Sequence, residues 1–345
     1  MAIALKRGIN ISHWLSQTRQ CLERLDTYFT QDDVQRLAGM GFDHLRLPVD
    51  EENLWDEDGQ PVARTFDALD RALDWLDEAG LCAVVDLHIL RNHYFGDKDV
   101  PALFADPAAA DHFAGLWAQL SDRLKGRATD KVAYELLNEA VAPTEEDWNR
   151  VAHRAFDEVR GRETDRIIVL RSNCWNSAQR MVGLRVPADD PNVVLTFHFY
   201  RPMFITHYRA SWVQMCLAYE GPVHYPGKPI AEADLAGMPE DWQKQVRESG
   251  SNAPFDRDTM ELMIEGPLAV RRRTGLPLYC GEFGCITQVD PALRRAWLTD
   301  MIAVLEGHDI GWAMWDLKGG FGVLDRDGRN ETGVTDILTG NRGGA

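Results

Sequence analysis

Strand-length apolar runs alternate with helix-length amphipathic runs along almost the whole chain, and this alternation restricts the fold more than any other feature. GFDHLRLPV, LCAVVDLH, KVAYELLNE, RIIVLRS, NVVLTFHFY, PLYCGEF and GWAMWDL are apolar nearly throughout rather than at every second position. Strands buried on both faces read this way, and parallel sheets covered by helices bury their strands so. KRGINIS, ending near Asn10 to Trp14, completes a set of eight. Helical periods lie between them. Phe66, Leu69, Leu73 and Leu76 face inward in a helix predicted over 65–79, and Phe113, Leu116, Trp117, Leu120 and Leu124 do so over 111–124. Trp148, Val151, Ala155 and Val159 form a third stripe, and Leu293, Trp297, Met301 and Val304 a fourth. Thr30 before Asp32 and Asp33, Thr144 before Asp147, and Asp290-Pro291 are start signals, whereas Pro267 is expected to kink or split a helix over 256–273.

Every strand but the last is thus expected to lead into a helix. Eight such units in 345 residues favour a closed (β/α)8 TIM barrel over an open doubly wound sheet. No linker is visible, so one domain over 1–345 is predicted. A long insertion after strand six, 201–255, is rich in Pro, Gly and aromatic residues and too large for a plain connector.

Charge narrows the partners. A formal net charge of −17 disfavours a phosphate backbone, which is bound by a positive face that releases counterions, so no nucleic-acid partner is expected. No apolar run is long enough to span a bilayer, so no membrane partner is expected either. The stretch MAIALKR is too short for a signal peptide. As the chain stands it reads as cytoplasmic, and as secreted if a leader has been removed. The six cysteines form no CxxC pair, and no metal or cofactor is expected. Eleven tryptophans suit carbohydrate, because flat indole faces stack on sugar rings as well as filling cores. A β-linked oligo- or polysaccharide is the expected partner of a monomer.

In a barrel all strand C-terminal ends open onto one face, so polar residues that end apolar runs gather there. Those residues are Arg46, His88, Asn138, Glu139, His198, Tyr200, Glu282 and Trp315. Two carboxylates suit glycoside cleavage, in which one protonates the departing oxygen and the other attacks the anomeric carbon. Glu139 lies beside Asn138 at the end of strand four. Glu282 ends strand seven, where Arg46 is expected to keep it ionised and Tyr200 to donate a hydrogen bond to it. These surroundings push the two pKa values apart, which makes Glu139 the acid/base and Glu282 the nucleophile. A carboxyl separation of roughly 5–5.5 Å is expected for retention, against about 6.5–9.5 Å for inversion.

RGINISHW, FDHLRLPVD, VVDLH, ELLNEA, FHFY, CGEFG and WAMWDLKGGFG together resemble glycoside hydrolase family 5, the cellulase-containing family of retaining β-glycosidases in clan A. The resemblance implies a covalent glycosyl-enzyme on Glu282 with Glu139 as acid/base. It implies that Asn138 holds the sugar 2-hydroxyl, that Arg46, His198 and Tyr200 position or tune the glutamates, that His88 lines the −1 subsite and that Trp315 is its stacking floor. It also implies β-glucan as substrate: β-1,4-glucan or cello-oligosaccharides first, mixed-linkage or β-1,3-glucan next, then β-mannan. Trp175 and Trp55 read equally as sugar platforms or as packing, His13 and Trp14 are placed to reach the glycone side, and Trp212, Tyr219, Tyr225 and Trp242 are expected to shape one end of the cleft. Asp316 and Lys318 read as solvated or structural. Two other readings compete. Asp86, His88, His93 and His198 suggest a metal-dependent barrel hydrolase, and a barrel that binds glycan without cutting it would have no need of two carboxylates.

Overall fold

The structure is a computed structural model that describes residues 3–340 apart from 20, 97 and 98. Its strands are β1 (Arg7–Asn10), β2 (His44–Val49), β3 (Cys82–Leu87), β4 (Val132–Glu135), β5 (Ile168–Arg171), β6 (Val193–Phe199), β7 (Leu278–Phe283) and β8 (Gly311–Met314). They close in sequence order into a parallel barrel, β8 pairing with β1. The helices over the outside include α1 (Gln31–Met40), α2 (Ala63–Glu78), α3 (Pro107–Leu124), α4 (Glu145–Arg160), α5 (Arg257–Met263), α6 (Glu265–Thr274) and α7 (Pro291–Gly307). Each predicted apolar stripe is buried against the strands. Thr30 closes a capping box with Asp33 on α1, and the backbone N–H of Asp147 donates to the Thr144 side chain at the start of α4. The 256–273 helix is indeed split, at Ile264, with Pro267 in the first turn of α6, where its missing N–H costs nothing.

Two expectations are corrected. The β5–β6 connection carries only a short turn, Asn173–Asn176, and a 3-10 segment, Ala178–Gly183, in place of a full helix. Strand four stops at Glu135, so Asn138-Glu139 stands on the loop beyond it, tied to β3 by the Asn138 N–H donating to the Leu87 carbonyl (2.7 Å).

The barrel interior shows why the site lies at one end. Side chains alternate across a strand, so residues two apart face inward together. One inward layer is apolar: Cys82, Val84, Ala133, Val169, Val194, Tyr279 and Ala313. The next inward positions toward the C-terminal ends are Asp86, Glu135, Arg171 and Thr196, with Arg46 beside them, and all are fully buried. Strand seven would break the pattern, since Tyr279 and Glu282 are three residues apart. A register shift resolves this: Phe197 pairs with Cys280 but His198 pairs with Glu282, leaving Gly281 as the extra residue. A bulge of this kind re-aims the side chain that follows it, here Glu282. A Cβ at Gly281 would sit 2.8 Å from Thr196 Oγ1, so the close approach requires glycine.

The insertion forms a helical cap with a small core of its own, built on Phe204, Cys216, Tyr219, Ile230, Leu235, Met238 and Val246. Trp297 Nε1 donates to the Arg201 carbonyl (2.9 Å) and the Tyr225 hydroxyl to Asp300 (2.8 Å), which fastens the cap to α7. Among the described residues no helix is long and apolar enough to cross a membrane.

Candidate active site

Arg46 is the hub of the polar layer. Its Nη1 donates to Glu282 Oε1 (2.8 Å) and Asn10 Oδ1 (2.9 Å), its Nη2 to Asn138 Oδ1 (3.0 Å), and its Nε to Glu135 Oε2 (2.6 Å). Asp86 Oδ2 lies 2.9 Å from Nη2. A second buried cation, Arg171, pairs with Glu135, and its Nη2 lies 3.7 Å from Asp86. Burial opposes the charge of Asp86, yet Arg46, His88 and Arg171 together hold its carboxyl below the ordinary range.

Glu139 and Glu282 meet over this layer. One carboxylate oxygen of each, with a ring nitrogen of His198, forms a group whose members lie within 4.8 Å of one another. Glu282 is held twice, by Arg46 on Oε1 and by the Tyr200 hydroxyl on Oε2 (2.9 Å). Burial and the two glutamates raise the Tyr200 phenol far above its usual pKa, so it remains a donor. Among the described residues Glu139 has no guanidinium or ammonium in direct contact. Its Oε1 meets His198 Nδ1 (2.9 Å), and burial, reinforced by the Glu282 charge, raises its carboxyl well above the usual range. His198 is neutral for a related reason: burial, then Arg46 and Arg171, pushes its pKa well down. The two carboxyl groups therefore stand in contrasting surroundings, one clasped by a guanidinium and a phenol, the other favouring its proton. Glu139 is also in the left-handed region (φ 37°), which is costly for a residue with a side chain.

The model of the family described as cellulase (glycosyl hydrolase family 5) matches residues 10–320. The chain belongs to glycosyl hydrolase family 5. Endoglucanase C of Acetivibrio thermocellus is 32% identical over 323 residues, 92% of either chain, and cellodextrinase A of Ruminococcus flavefaciens is 29% identical over 309 residues, 88% of this chain and 83% of the relative. Among solved structures, a hyperthermophilic endo-β-1,4-glucanase in complex with substrate superposes with a TM-score of 0.78 at 20% identity, covering 97% of both chains. Cel5A of Thermotoga maritima in complex with cellobiose does so with 0.75 at 22% identity, again over 97% of both. These two superpositions speak for the barrel fold.

In this family 5 hydrolase the other residues singled out in the sequence divide into two groups. His88 and Trp315 stack (centroids 5.5 Å apart, 10° between planes) beside the carboxyl pair. His88 Nδ1 is 2.8 Å from Asp86 Oδ2, which must accept, so Nδ1 carries the proton and Nε2 is a buried acceptor without a protein partner among the described residues. Trp175 follows Glu139 closely in space: its backbone N–H donates to the Ala140 carbonyl and its Nε1 to that of Phe95. Its indole is 55% exposed, and Cys174, Trp175 and Asn176 all have positive φ, a run that only tight support maintains. Asn173 supplies support by bonding Ala142 on the Glu139 loop through both ends of its amide.

Others are structural. Trp55 is fully buried with Nε1 on Gln119 Oε1, and Trp14 is buried with Nε1 on the Leu25 carbonyl, so neither reaches a sugar. Tyr219 and Trp242 pack inside the insertion, leaving Trp212 as its exposed indole, against Phe321 and His207. Asp316 is fully buried rather than solvated, whereas Lys318 anchors Asp33 and the Tyr28 carbonyl.

The metal-hydrolase reading fails on the donor set. Asp86 Oδ2 is taken by His88 Nδ1–H and faces the Arg46 guanidinium, which repels a cation, and His93 Nε2 accepts from the Val141 N–H. Within the Glu139, His198 and Glu282 group, both Glu282 oxygens are occupied by donors, one a guanidinium that repels a cation. Glu135, Arg171 and Asn10 are the last residues of β4, β5 and β1, but the strand-like runs in the sequence continue past each of them, so none visibly ends a run; the inward period that contains Asp86 and Arg46 passes through all three.

Proposed function

We propose that this family 5 hydrolase cleaves β-1,4-glucosidic bonds of glucan chains and cello-oligosaccharides by double displacement with retention. The observation that carries the stereochemistry is the approach of the Glu139 and Glu282 carboxylate oxygens to within 4.8 Å, nearer the roughly 5–5.5 Å carboxyl spacing of retention than the about 6.5–9.5 Å of inversion. An endoglucanase and a cellodextrinase among the relatives support the substrate.

Glu282 attacks the anomeric carbon of a ring stacked on Trp315, while Glu139 passes its proton to the departing glycosidic oxygen. Asn138 receives Arg46 on Oδ1, which turns its amide Nδ2 toward the 2-hydroxyl. Water then enters, Glu139 removes its proton, and the ester to Glu282 breaks. Trp175, beside Glu139, carries a ring on the leaving-group side. Incubation with cellopentaose, laminaripentaose and mannopentaose should release products from the first alone, initially as the β-anomer by proton NMR. Preferential cleavage of the mannan oligomer would reject the substrate, and initial α-anomer would reject the mechanism.

The buried acid has a stability cost with a definite sign. An unfolded glutamate ionises near about 4.3, whereas folded Glu139 keeps its proton to higher pH. Between those values the unfolded chain binds fewer protons, so the Glu139 contribution to stability falls as pH rises until the folded carboxyl itself ionises. Glu139→Gln removes that loss. The variant should melt above the wild type at about pH 7, with the margin shrinking toward about pH 4. A margin that does not change with pH would show that Glu139 is not a protonated acid in the folded protein.

A further inference from the structure

At the end of β1, outside the carboxyl pair, the structure holds a second relay of side chains. Asp316, directly after Trp315, is fully buried and accepts the Ser12 hydroxyl on Oδ2 (2.5 Å) and the Gly319 N–H on Oδ1 (3.1 Å). A Cβ on residue 319 would collide with this carboxylate, so the close approach depends on glycine there. His13 Nδ1 lies 2.7 Å from Ser12 Oγ. The hydroxyl has one proton and gives it to Asp316, so it can only accept from the histidine, and Nδ1 must carry the imidazole proton. Burial, then the nearby charges of Arg24, His88 and Arg326, lowers the His13 pKa to about 4, and the ring is neutral above that. Its Nε2 is therefore a lone-pair acceptor. The ring is 40% exposed, and Nε2 takes no hydrogen bond among the described residues. The backbone of His13 is held in the left-handed region (φ 58°), a cost that fixes the direction of the side chain.

His88 shows the same tautomer, with Nδ1–H directly on a buried carboxylate and Nε2 a buried acceptor without a protein partner among the described residues. Because β1 and β8 adjoin each other and β4 and β5 lie across the barrel, His13 is on the side away from Glu139 and the leaving group. We infer that His13 is a substrate-binding residue whose Nε2 accepts a hydroxyl of the glucosyl ring one position beyond the ring being cleaved, with Ser12 and Asp316 locking the tautomer that makes it an acceptor. This inference rests on the proposed glucanase reading.

The test uses aryl β-cellobioside with the wild type, His13→Phe, His13→Gln and Ser12→Ala. Loss of one neutral hydrogen bond corresponds to roughly tenfold in kcat/KM. His13→Phe should show that loss through KM with kcat nearly unchanged. His13→Gln, which restores an acceptor, should recover most of it, and Ser12→Ala should give a smaller rise in KM by freeing the tautomer. Binding of cellotriose to Glu139→Gln with and without His13→Phe reads the same contact without turnover. If the phenylalanine variant matches the wild type, or if phenylalanine and glutamine fall equally through kcat, the assignment of His13 is overturned while the glucanase reading stands. If the wild type fails to cleave the cellobioside and the cello-oligosaccharides, the glucanase reading itself falls. Melting curves of each variant separate either result from misfolding.

Discussion

Glu282→Gln should reduce turnover of an aryl β-cellobioside by at least about 10⁴-fold, the order seen when a nucleophile is removed from an otherwise intact site. The amide keeps the volume of the carboxylate, and its oxygen can still accept from Arg46 or Tyr200, so the fold should survive. What it lacks is the charge and the second oxygen needed to form the glycosyl ester. Truncation to glycine makes the expectation sharper. In Glu282→Gly a small anion such as azide can enter the vacated space, attack the anomeric carbon from that face and expel the aryloxide, giving a glycosyl azide inverted relative to the substrate. In Glu139→Gly the ester still forms when the leaving group is good. Azide then attacks from the opposite face and gives the azide of retained configuration. The anomer of the azide, read by NMR, thus assigns each glutamate its role independently of rate. Interchanged outcomes would reverse the assignment, and full activity in Glu282→Gln would remove this residue from the chemistry.

The sequence made those two residues visible for a physical reason. A carboxylate at the end of an apolar run has no partner nearby in sequence, and only convergence at a barrel end supplies one. The eight runs and the helices between them were legible because burial on both faces leaves a continuous apolar signature. Less was legible where a contact crosses the barrel. Glu135 ends β4 just before the Asn138-Glu139 loop, yet nothing local reveals that Arg46 and Arg171 neutralise it. The bulge at Gly281 that swings Glu282 inward is a matter of register between two strands, and glycine in a strand indicates such a device only in outline. The missing helix after β5 leaves no signature, because two parallel strand-like runs at 166–172 and 192–200 need a crossover between them and the short turn and 3-10 segment that supply it have no period of their own. Trp55 and Trp175 were indistinguishable as letters. The first is enclosed by Phe66 and Gln119, whereas a left-handed turn at 174–176 pushes the second into the open.

Arg46→Met should unfold at markedly lower denaturant concentration, with a loss of about 3–5 kcal/mol at neutral pH, the usual consequence of removing one partner from a buried ion pair. Methionine fills much of the volume, so the loss is mainly electrostatic. Without the guanidinium, Asp86, Glu135 and Glu282 face one another in the barrel interior with Arg171 as the remaining buried cation in contact with the first two. Burial, and then Arg46 itself, bring the Arg171 pKa down to about 9, so in the variant Arg171 stays charged at neutral pH, but one guanidinium then stands against three carboxylates. The pH dependence follows from Asp86. Its folded pKa is depressed, so its stabilising contribution is present above the unfolded value of about 3.9 and lost as pH falls through the folded one. Removing Arg46 abolishes that contribution, and acid then relieves the variant by protonating the stranded carboxyl groups at pH values where the wild type still keeps the full contribution. The gap between the two proteins should therefore narrow from about pH 7 to about pH 4.5 in urea unfolding. Equal stability at neutral pH would mean that the polar layer is held by the apolar layer beneath it and the helices outside, and that Arg46 serves the reaction alone.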